Sequence, residues 1–174
     1  MSESFWDFSL RFYRLQGVAE TCLDLQDRHD VDVNMVLFVL WAASRGQVLD
    51  AATIAATDRT ARPWRETVTQ PLRAARRALK TRLDGFDTTG TASLRQQVMA
   101  AELDSERLQQ AAMAAHLPVG VPSAHSPAAQ QNLHRYEALV GKPFGAARVE
   151  RLLHAFDSAC DGDVAAEPSL QAAR

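Results

Sequence analysis

The feature that most constrains the fold is an unbroken run of nine apolar residues, from Met35 to Ala43. Helix-boundary signals flank this run, because Asp32 is placed to cap a first turn and Gly46 ends the pattern. A helix that is apolar nearly all round belongs at the centre of a bundle. A buried strand would fit the run 35–41 by periodicity alone, but the length and the cap signals favour a helix over 33–45.

The amino-acid composition also favours helices. The 174 residues include 30 alanines, 13 valines and a single isoleucine, Ile54. Alanine is the best helix former, whereas β-branched residues favour strands. We therefore predict an all-α protein: a single domain over 1–161, built as an orthogonal or irregular bundle of about seven to eight helices around the buried central helix. Residues 162–174 are expected to form a flexible tail.

Apolar spacings of three and four residues divide the chain into predicted helices. The N-terminal helices lie within 4–83 and the C-terminal helices within 91–161, after a loop that contains glycine and threonine. The predicted helices cover 4–16, 18–27, 33–45, 50–57, 63–83, 93–116, 128–140 and 144–160. Pro71 is expected to kink the fifth of these helices. The long helix over 93–116 is expected to pack through a stripe formed by Leu94, Val98, Ala101, Leu108, Ala112 and Ala115.

Positive charge is concentrated in one segment. Between Arg59 and Arg82 the chain has eight basic residues and one acidic residue, a net charge of +7, whereas the remainder has eleven basic and twenty acidic residues. A helix this basic suits the phosphates of nucleic acid or the carboxylates of an acidic protein. The residues predicted to make such a contact are Arg62, Arg73, Arg76, Arg77 and Lys80. The alternative is a solvated helix face that pairs with acidic groups of the same chain.

Aromatic residues cluster near the N-terminus, where seven of the twelve lie within the first 41 residues. Core packing is the ordinary explanation of such a cluster. The alternative is an apolar pocket between the first and third predicted helices, with polar side chains that orient a small ligand. The residues assigned to this pocket are Trp6, Asp7, Arg14, Asn34 and Trp41.

The sequence has no motif that is typical of catalysis or metal binding. Asp24, Asp27, Asp30 and Asp32 form an acidic turn, but Met35 occupies the position where a calcium-binding loop needs glycine. Capping and solvation explain these aspartates. The five histidines are scattered, and no phosphate-binding glycine loop or nucleophile motif occurs. We predict no catalytic residue, no metal and no cofactor, which favours a binding protein over an enzyme.

The cysteines and the N-terminus bear on the cellular compartment. Cys22 and Cys160 both fall within apolar helical patterns and belong to no metal-binding cluster, which predicts buried thiols in a reducing environment. The N-terminus has neither the basic nor the apolar segment of a signal peptide. The longest apolar run is about half the length that a membrane-spanning helix needs. We therefore predict a cytoplasmic protein without membrane contact.

Several short motifs together resemble a known family. The matching residues are Trp6, Leu10, Tyr13, Gly17-Val18-Ala19, Cys22-Leu23, Leu25-Gln26-Asp27, Asp32-Val33-Asn34, Leu37, Leu40, Trp41, Trp64-Arg65, Val68, Pro71-Leu72-Arg73, Arg76-Arg77, Leu79 and Lys80. The chain is thus similar, over residues 4–83 and more loosely over 90–160, to a family of small proteobacterial helical proteins, domain of unknown function 2390. The resemblance implies a bacterial cytoplasmic helical protein, and it implies no activity and no catalytic residue.

These observations lead to two functional hypotheses. The first is a non-enzymatic helical binding protein, an adaptor or a regulator, that contacts an acidic protein or nucleic acid through its basic helix. The second is a small-ligand-binding protein or an enzyme, with a pocket among the N-terminal aromatic helices. A closed and filled bundle favours the first hypothesis, whereas a polar-lined cavity near Asn34 and Trp41 favours the second.

Overall fold

The regular structure of the chain is helical. The computed structural model describes residues 3–81, 84–120 and 122–164, with the backbone alone for 161–164. Within these ranges every regular element is a helix, and there are seven helices if the continuous stretch from Ala51 to Ala78 is counted once. The prediction of an all-α fold with about seven to eight helices is therefore confirmed.

The helices follow one another along the chain with short connections. In order they are α1 (Phe5–Tyr13), α2 (Val18–His29), α3 (Val33–Ser44), α4 (Ala51–Trp64), a π-helical turn (Arg65–Thr69), α5 (Gln70–Ala78), α6 (Thr88–Ala114), α7 (His125–Val140) and α8 (Ala146–Val164). Over the part of the chain that the structure describes, none of them combines the length and the apolar character that crossing a membrane requires.

Side-chain caps define several helix starts. The carboxylate of Asp32 accepts a hydrogen bond of 2.9 Å from the backbone N–H of Asn34 at the start of α3. The hydroxyl of Ser4 accepts one of 3.1 Å from the N–H of Asp7 at the start of α1. Each bond satisfies an N–H group that the first turn of a helix leaves unpaired. The predicted cap at Asp32 is confirmed.

Gly46 follows α3 for two physical reasons. Its φ angle of +70° is left-handed, a conformation that strains residues with a side chain. In addition, a Cβ atom at this position would lie 2.7 Å from the Cβ atom of Pro122. The carbonyl group of Gly46 also accepts a hydrogen bond of 2.6 Å from the N–H of Ser123. Glycine therefore allows the chain to turn while it lies directly against this segment.

The chain divides into two compact units. The first combines the chain up to Ile54 with the chain from Leu117 onwards, and the second is Ala55–His116. In the first unit α3 is the central helix, because all its residues from Asn34 to Ala43 are buried and it contacts α1, α2 and α7. The central helix predicted from the sequence is confirmed. The single domain over 1–161 stays a prediction.

Large apolar side chains fill the core of the first unit. Those without exposed surface include Phe8, Phe12, Phe38, Phe144 and Phe156. Cys22 lies in the same unit with a buried free thiol, and burial raises the pKa of this thiol to about 12. Cys160 is half-buried. The prediction of a buried thiol is therefore confirmed for Cys22, while Cys160 is more accessible than predicted.

The structure corrects the prediction of two separate helices between residues 50 and 83. One helix runs on without a break from Ala51 to Ala78, and Pro63 lies inside it. The residues that were expected to form the break contain no glycine. They also contain Asp58 and Arg62, which form an ion pair one helical turn apart. Such i,i+4 pairs stabilise a helix, so nothing in this segment ends it.

A π-helical turn precedes Pro71, which lies in the first turn of α5. A proline has no N–H to donate to the preceding turn, and its ring crowds the carbonyl group there. Interruptions of this kind are commonly absorbed by one widened turn. The kink predicted at Pro71 therefore takes the form of the π-helical turn Arg65–Thr69.

Two further boundaries differ from those predicted. α6 begins at Thr88 rather than at residue 93, because the carboxylate of Asp87 caps it by accepting a hydrogen bond from the N–H of Gly90. α8 continues to Val164, past the predicted end of the domain at residue 161. The remainder of the predicted tail, 165–174, lies outside the described residues.

Candidate functional site

The basic segment forms one arm of a helical hairpin in the second unit. Both the π-helical turn and α5 contact α6. We refer to the two stretches 64–81 and 88–114 as the hairpin, and to the contact between them as the seam. The seam decides which of the predicted basic residues are available to a partner.

Ion pairs lie at the centre of the seam. Arg73 donates hydrogen bonds of 3.1 Å to Glu102 and 2.8 Å to Glu106, and Arg76 donates to Glu102 as well. Glu102 is only 7% exposed. Its burial raises the pKa of the carboxyl group, but the hydrogen bonds from Arg76 and Arg73 outweigh this effect and leave the pKa below its usual value. The hydrogen bond with Glu102 correspondingly raises the pKa of Arg76.

Uncharged polar groups extend the seam beyond the ion pairs. The hydroxyl groups of Thr69 and Ser105 are 2.6 Å apart and both residues are buried. The indole N–H of Trp64 donates a hydrogen bond of 3.1 Å to the backbone carbonyl of Ser105. Polar groups are stable in a buried contact when each finds a partner. The seam is therefore held by matched polar groups.

The packing face of α6 is not the predicted apolar stripe. The buried residues of α6 are Glu102, Ser105, Gln109, Gln110 and Met113. The stripe is largely exposed instead, with Leu94 47% exposed and Leu108 52% exposed. Ala101, Ala112 and Ala115 are exposed too, and Val98 is half-buried. The predicted face is wrong because the ion pairs and the hydroxyl contact fix the rotation of α6.

The five predicted contact residues divide into two groups. Those in internal ion pairs are Arg62, which pairs with Asp58, and the seam residues Arg73 and Arg76. Those that are exposed are Arg77 and Lys80. Arg59 is exposed as well, and neither Arg59 nor Lys80 forms an ion pair with any residue that the structure describes. Pairing within the chain thus accounts for the first group and leaves Arg59 and Lys80 outward.

The predicted pocket residues lie along α1 and α3, and the aromatic rings among them pack tightly. Trp41 is buried and stacks on a phenylalanine ring of α1, with ring centroids 5.0 Å apart. Asn34 is buried in the first turn of α3. Asp7 and Arg14 are exposed near opposite ends of α1, and Trp6 is half-buried. The small-ligand hypothesis at these residues stays a prediction.

An open groove of about 610 Å³ lies between the start of α2 and α8 in the first unit. Its polar lining consists of Gln16, Glu20, Arg151, His154 and Ser158, and none of the predicted pocket residues lines it. The volume lies in the range of small-ligand sites, roughly 300–1,000 Å³, but all five polar side chains are exposed. The sequence analysis missed this groove because no motif connects Glu20 with Arg151, which lie far apart in the chain.

Capping and ion pairs account for much of the acidic turn. Asp32 caps α3, and Asp24 pairs with both Arg148 and Arg28. The hydrogen bond from Arg148 holds the pKa of the Asp24 carboxyl below its usual value. Within the described ranges, no three His, Cys, Asp or Glu side chains gather closely enough to hold a metal ion.

A match to a protein family covers more than half of the chain. The family model, described as a protein of unknown function (DUF2390), matches residues 4–113. The chain belongs to this family. The DUF2390 match confirms the resemblance that the N-terminal motifs indicate, and it extends through α6 to include both arms of the hairpin. No curated protein and no solved structure matches the chain.

Proposed function

We propose that this chain is a non-enzymatic helical binding protein, an adaptor or a regulator in the bacterial cytoplasm, that contacts an acidic protein through the outward cations of its basic helix. The observation that carries the proposal is the exposure of Arg59 and Lys80, which form no ion pair with a described residue. Arg62 adds to this set, because its side chain is 55% exposed although it pairs with Asp58.

The seam supports a binding role rather than a catalytic one. Arg73, Arg76 and Glu102 satisfy one another's charge, so this cluster stabilises the hairpin. A catalytic acid or base must instead lie within hydrogen-bonding reach of a substrate proton. The cations that point outward do not need a pocket, since exposed charge attracts an oppositely charged surface over several ångströms. A surface contact is therefore the function that fits this charge arrangement best.

An acidic protein fits the outward cations better than nucleic acid does. Strong binding to nucleic acid generally takes about six to ten phosphate contacts, and the seam withdraws Arg73 and Arg76 from such a role. The net charge of −2 on the chain also opposes a long polyanion. An acidic helix, by contrast, can place carboxylates one turn apart and so match cations three residues apart, such as Arg59 and Arg62.

Fluorescence anisotropy at low salt tests this proposal with two probes, a glutamate-rich helical peptide and a single-stranded DNA of the same charge. We expect the peptide to bind and added salt to weaken its affinity. The double variant Arg59→Glu with Lys80→Glu is expected to bind the peptide at least about tenfold more weakly. The matched control is Arg14→Glu with Lys142→Glu, which reverses two exposed cations elsewhere and should keep the affinity within about twofold.

Three results would count against the proposal. If both double variants lost affinity equally, only the net charge of the chain would matter. If DNA bound more tightly than the peptide and its binding depended on Arg59 and Lys80, nucleic acid would replace the acidic protein as the partner. If neither probe bound at low salt, the basic helix would have no electrostatic partner of either kind.

A further inference from the structure

The hairpin has an apolar face that its own seam does not use. On α6 this face includes Leu94 and Leu108, both about half exposed. Trp64 joins it from the other arm, because its indole contacts Ser105, and Ala101 and Leu108 lie one turn to either side of that serine. Val68, Leu72 and Leu79 continue the face along α5 and are half-buried. The apolar face is thus defined by Trp64, Val68, Leu72, Leu79, Leu94, Val98, Ala101, Leu108 and Ala112.

The apolar face is large enough for a specific protein contact. Between Leu94 and Ala112 it is about 27 Å long at 1.5 Å per residue, and two adjacent helices are roughly 20 Å wide. The resulting area is about 500 Å², near the upper end of the apolar patches found on soluble monomers. Two such faces in contact would bury about 1,000 Å² in total, which is the lower limit of a specific interface.

We propose that this face packs against the same face of a second copy of the chain, so that two hairpins form a four-helix bundle. None of the residues that define the face is charged, so a charged partner surface would find no counterion there. A second copy presents an equally uncharged surface of the same length. Isologous pairing of this kind is the commonest mode of protein self-association.

The charges at the rim of the face select the arrangement of the two hairpins. Residues 59–81 contain seven basic residues and one acidic residue, whereas α6 contains two basic and three acidic residues. A two-fold axis that places α5 of one copy on α6 of the other brings opposite net charges together. Placing α5 on α5 would bring like charges together. This interface uses the apolar face rather than Arg59 and Lys80, so it is independent of the proposed acidic partner.

Sedimentation velocity of the full chain over about 1–100 μM tests the inference. We expect a monomer–dimer equilibrium with the dimer dominant at the upper end. Leu108→Glu and Leu94→Glu should each give a monomer whose circular dichroism spectrum is unchanged, since both leucines are exposed in the single copy. The matched control is Leu103→Glu, which is 49% exposed on the same helix but lies about 140° around its axis from Leu108. This control should remain dimeric.

The inference is overturned by a wild-type chain that stays monomeric up to about 100 μM. It is also overturned if Leu103→Glu dissociates the dimer as Leu108→Glu does, or if neither Leu108→Glu nor Leu94→Glu dissociates it. Binding of the acidic peptide, measured separately, decides the proposed function whichever way the sedimentation result falls.

Discussion

Asn132 connects three segments of the first unit although it is a polar residue without exposed surface. Its carbonyl oxygen accepts a hydrogen bond of 2.8 Å from the N–H of Leu49, and its NH₂ group donates to the carbonyl groups of Val39 (3.0 Å) and Gln47 (2.9 Å). These bonds hold the segment that follows α3 against α7. A buried amide without partners would destabilise the fold, so this set of partners explains why asparagine is accommodated here.

Removing this side chain is expected to destabilise the first unit. Asn132→Ala should lower the free energy of unfolding by about 2–4 kcal/mol, because three buried backbone groups lose a partner and a small cavity is left. Urea unfolding followed by circular dichroism measures the change. The control Gln130→Ala, on an exposed position of the same helix, should cost about 0.5 kcal/mol or less. Equal stabilities of the two variants would contradict the role assigned to Asn132.

Helices α5 and α6 pair mainly through polar side chains. α5 has no buried residue, and four of the five buried residues of α6 are polar. Glu102 is central to this pairing because it accepts hydrogen bonds from both Arg73 and Arg76. Polar contacts of this kind specify one rotation of each helix, since charged groups must meet their partners, whereas apolar stripes tolerate sliding. The pairing should therefore depend on the protonation of Glu102.

The stability of the hairpin is expected to fall in acid. Because its two arginines hold the pKa of Glu102 below its usual value, the ionised carboxylate stabilises the folded state above the unfolded pKa of about 4.3. This stabilisation is lost as the pH falls through the lower folded pKa. Glu102→Gln should therefore unfold about 1–3 kcal/mol more easily at pH 7, and the difference from wild type should shrink towards pH 3.

Thermal melts at several pH values between 7 and 3 measure this difference. Asp104→Asn is the matched control, because Asp104 is a carboxylate on the same helix whose side chain is 71% exposed. Its neutralisation should change the melting temperature little at any pH. A stability difference for Glu102→Gln that stays constant from pH 7 to pH 3 would argue against the ion pairs as its origin.

The helical class and the central helix could be predicted because both depend on neighbouring residues. The run from Met35 to Ala43, the cap at Asp32 and the turn at Gly46 lie within fifteen residues of one another. Together they define α3 within one residue of its observed end at Ser44. Local propensity and capping decide such a segment, and they are legible in one sequence.

The rotation of α6 and the partners of Asn132 could not be predicted in this way. Arg76 and Glu102 are 26 residues apart, and Asn132 and Leu49 are 83 apart. No periodicity relates such residues, because their pairing depends on how separate helices meet. The apolar stripe of α6 was misleading for the same reason: periodicity identifies a face but not what covers it. The one available signal was the i,i+4 spacing of Glu102 and Glu106 opposite a run of arginines.

Burial of Cys22 makes its thiol a reporter of unfolding of the first unit as a whole. The thiolate is the reactive form, and burial raises the pKa of this thiol to about 12. In a Cys160→Ser background, alkylation at pH 8 should be about a thousandfold slower in the native protein than in denaturant, from the difference in pKa. Mass spectrometry at timed intervals measures the labelled fraction. Rapid labelling of the native protein would show that this part of the core opens locally.

The π-helical turn Arg65–Thr69 makes the length of the chain at this point a structural variable. Such a turn is equivalent to one additional residue set into an α-helix. Every later residue of α5 is consequently rotated by about 100° relative to an uninterrupted helix. Deleting one residue here would restore the regular helix and carry Arg73 and Arg76 about a quarter turn away from Glu102. A homologue shorter by one residue in this turn would thus need a different set of partners for α5, even with every side chain retained.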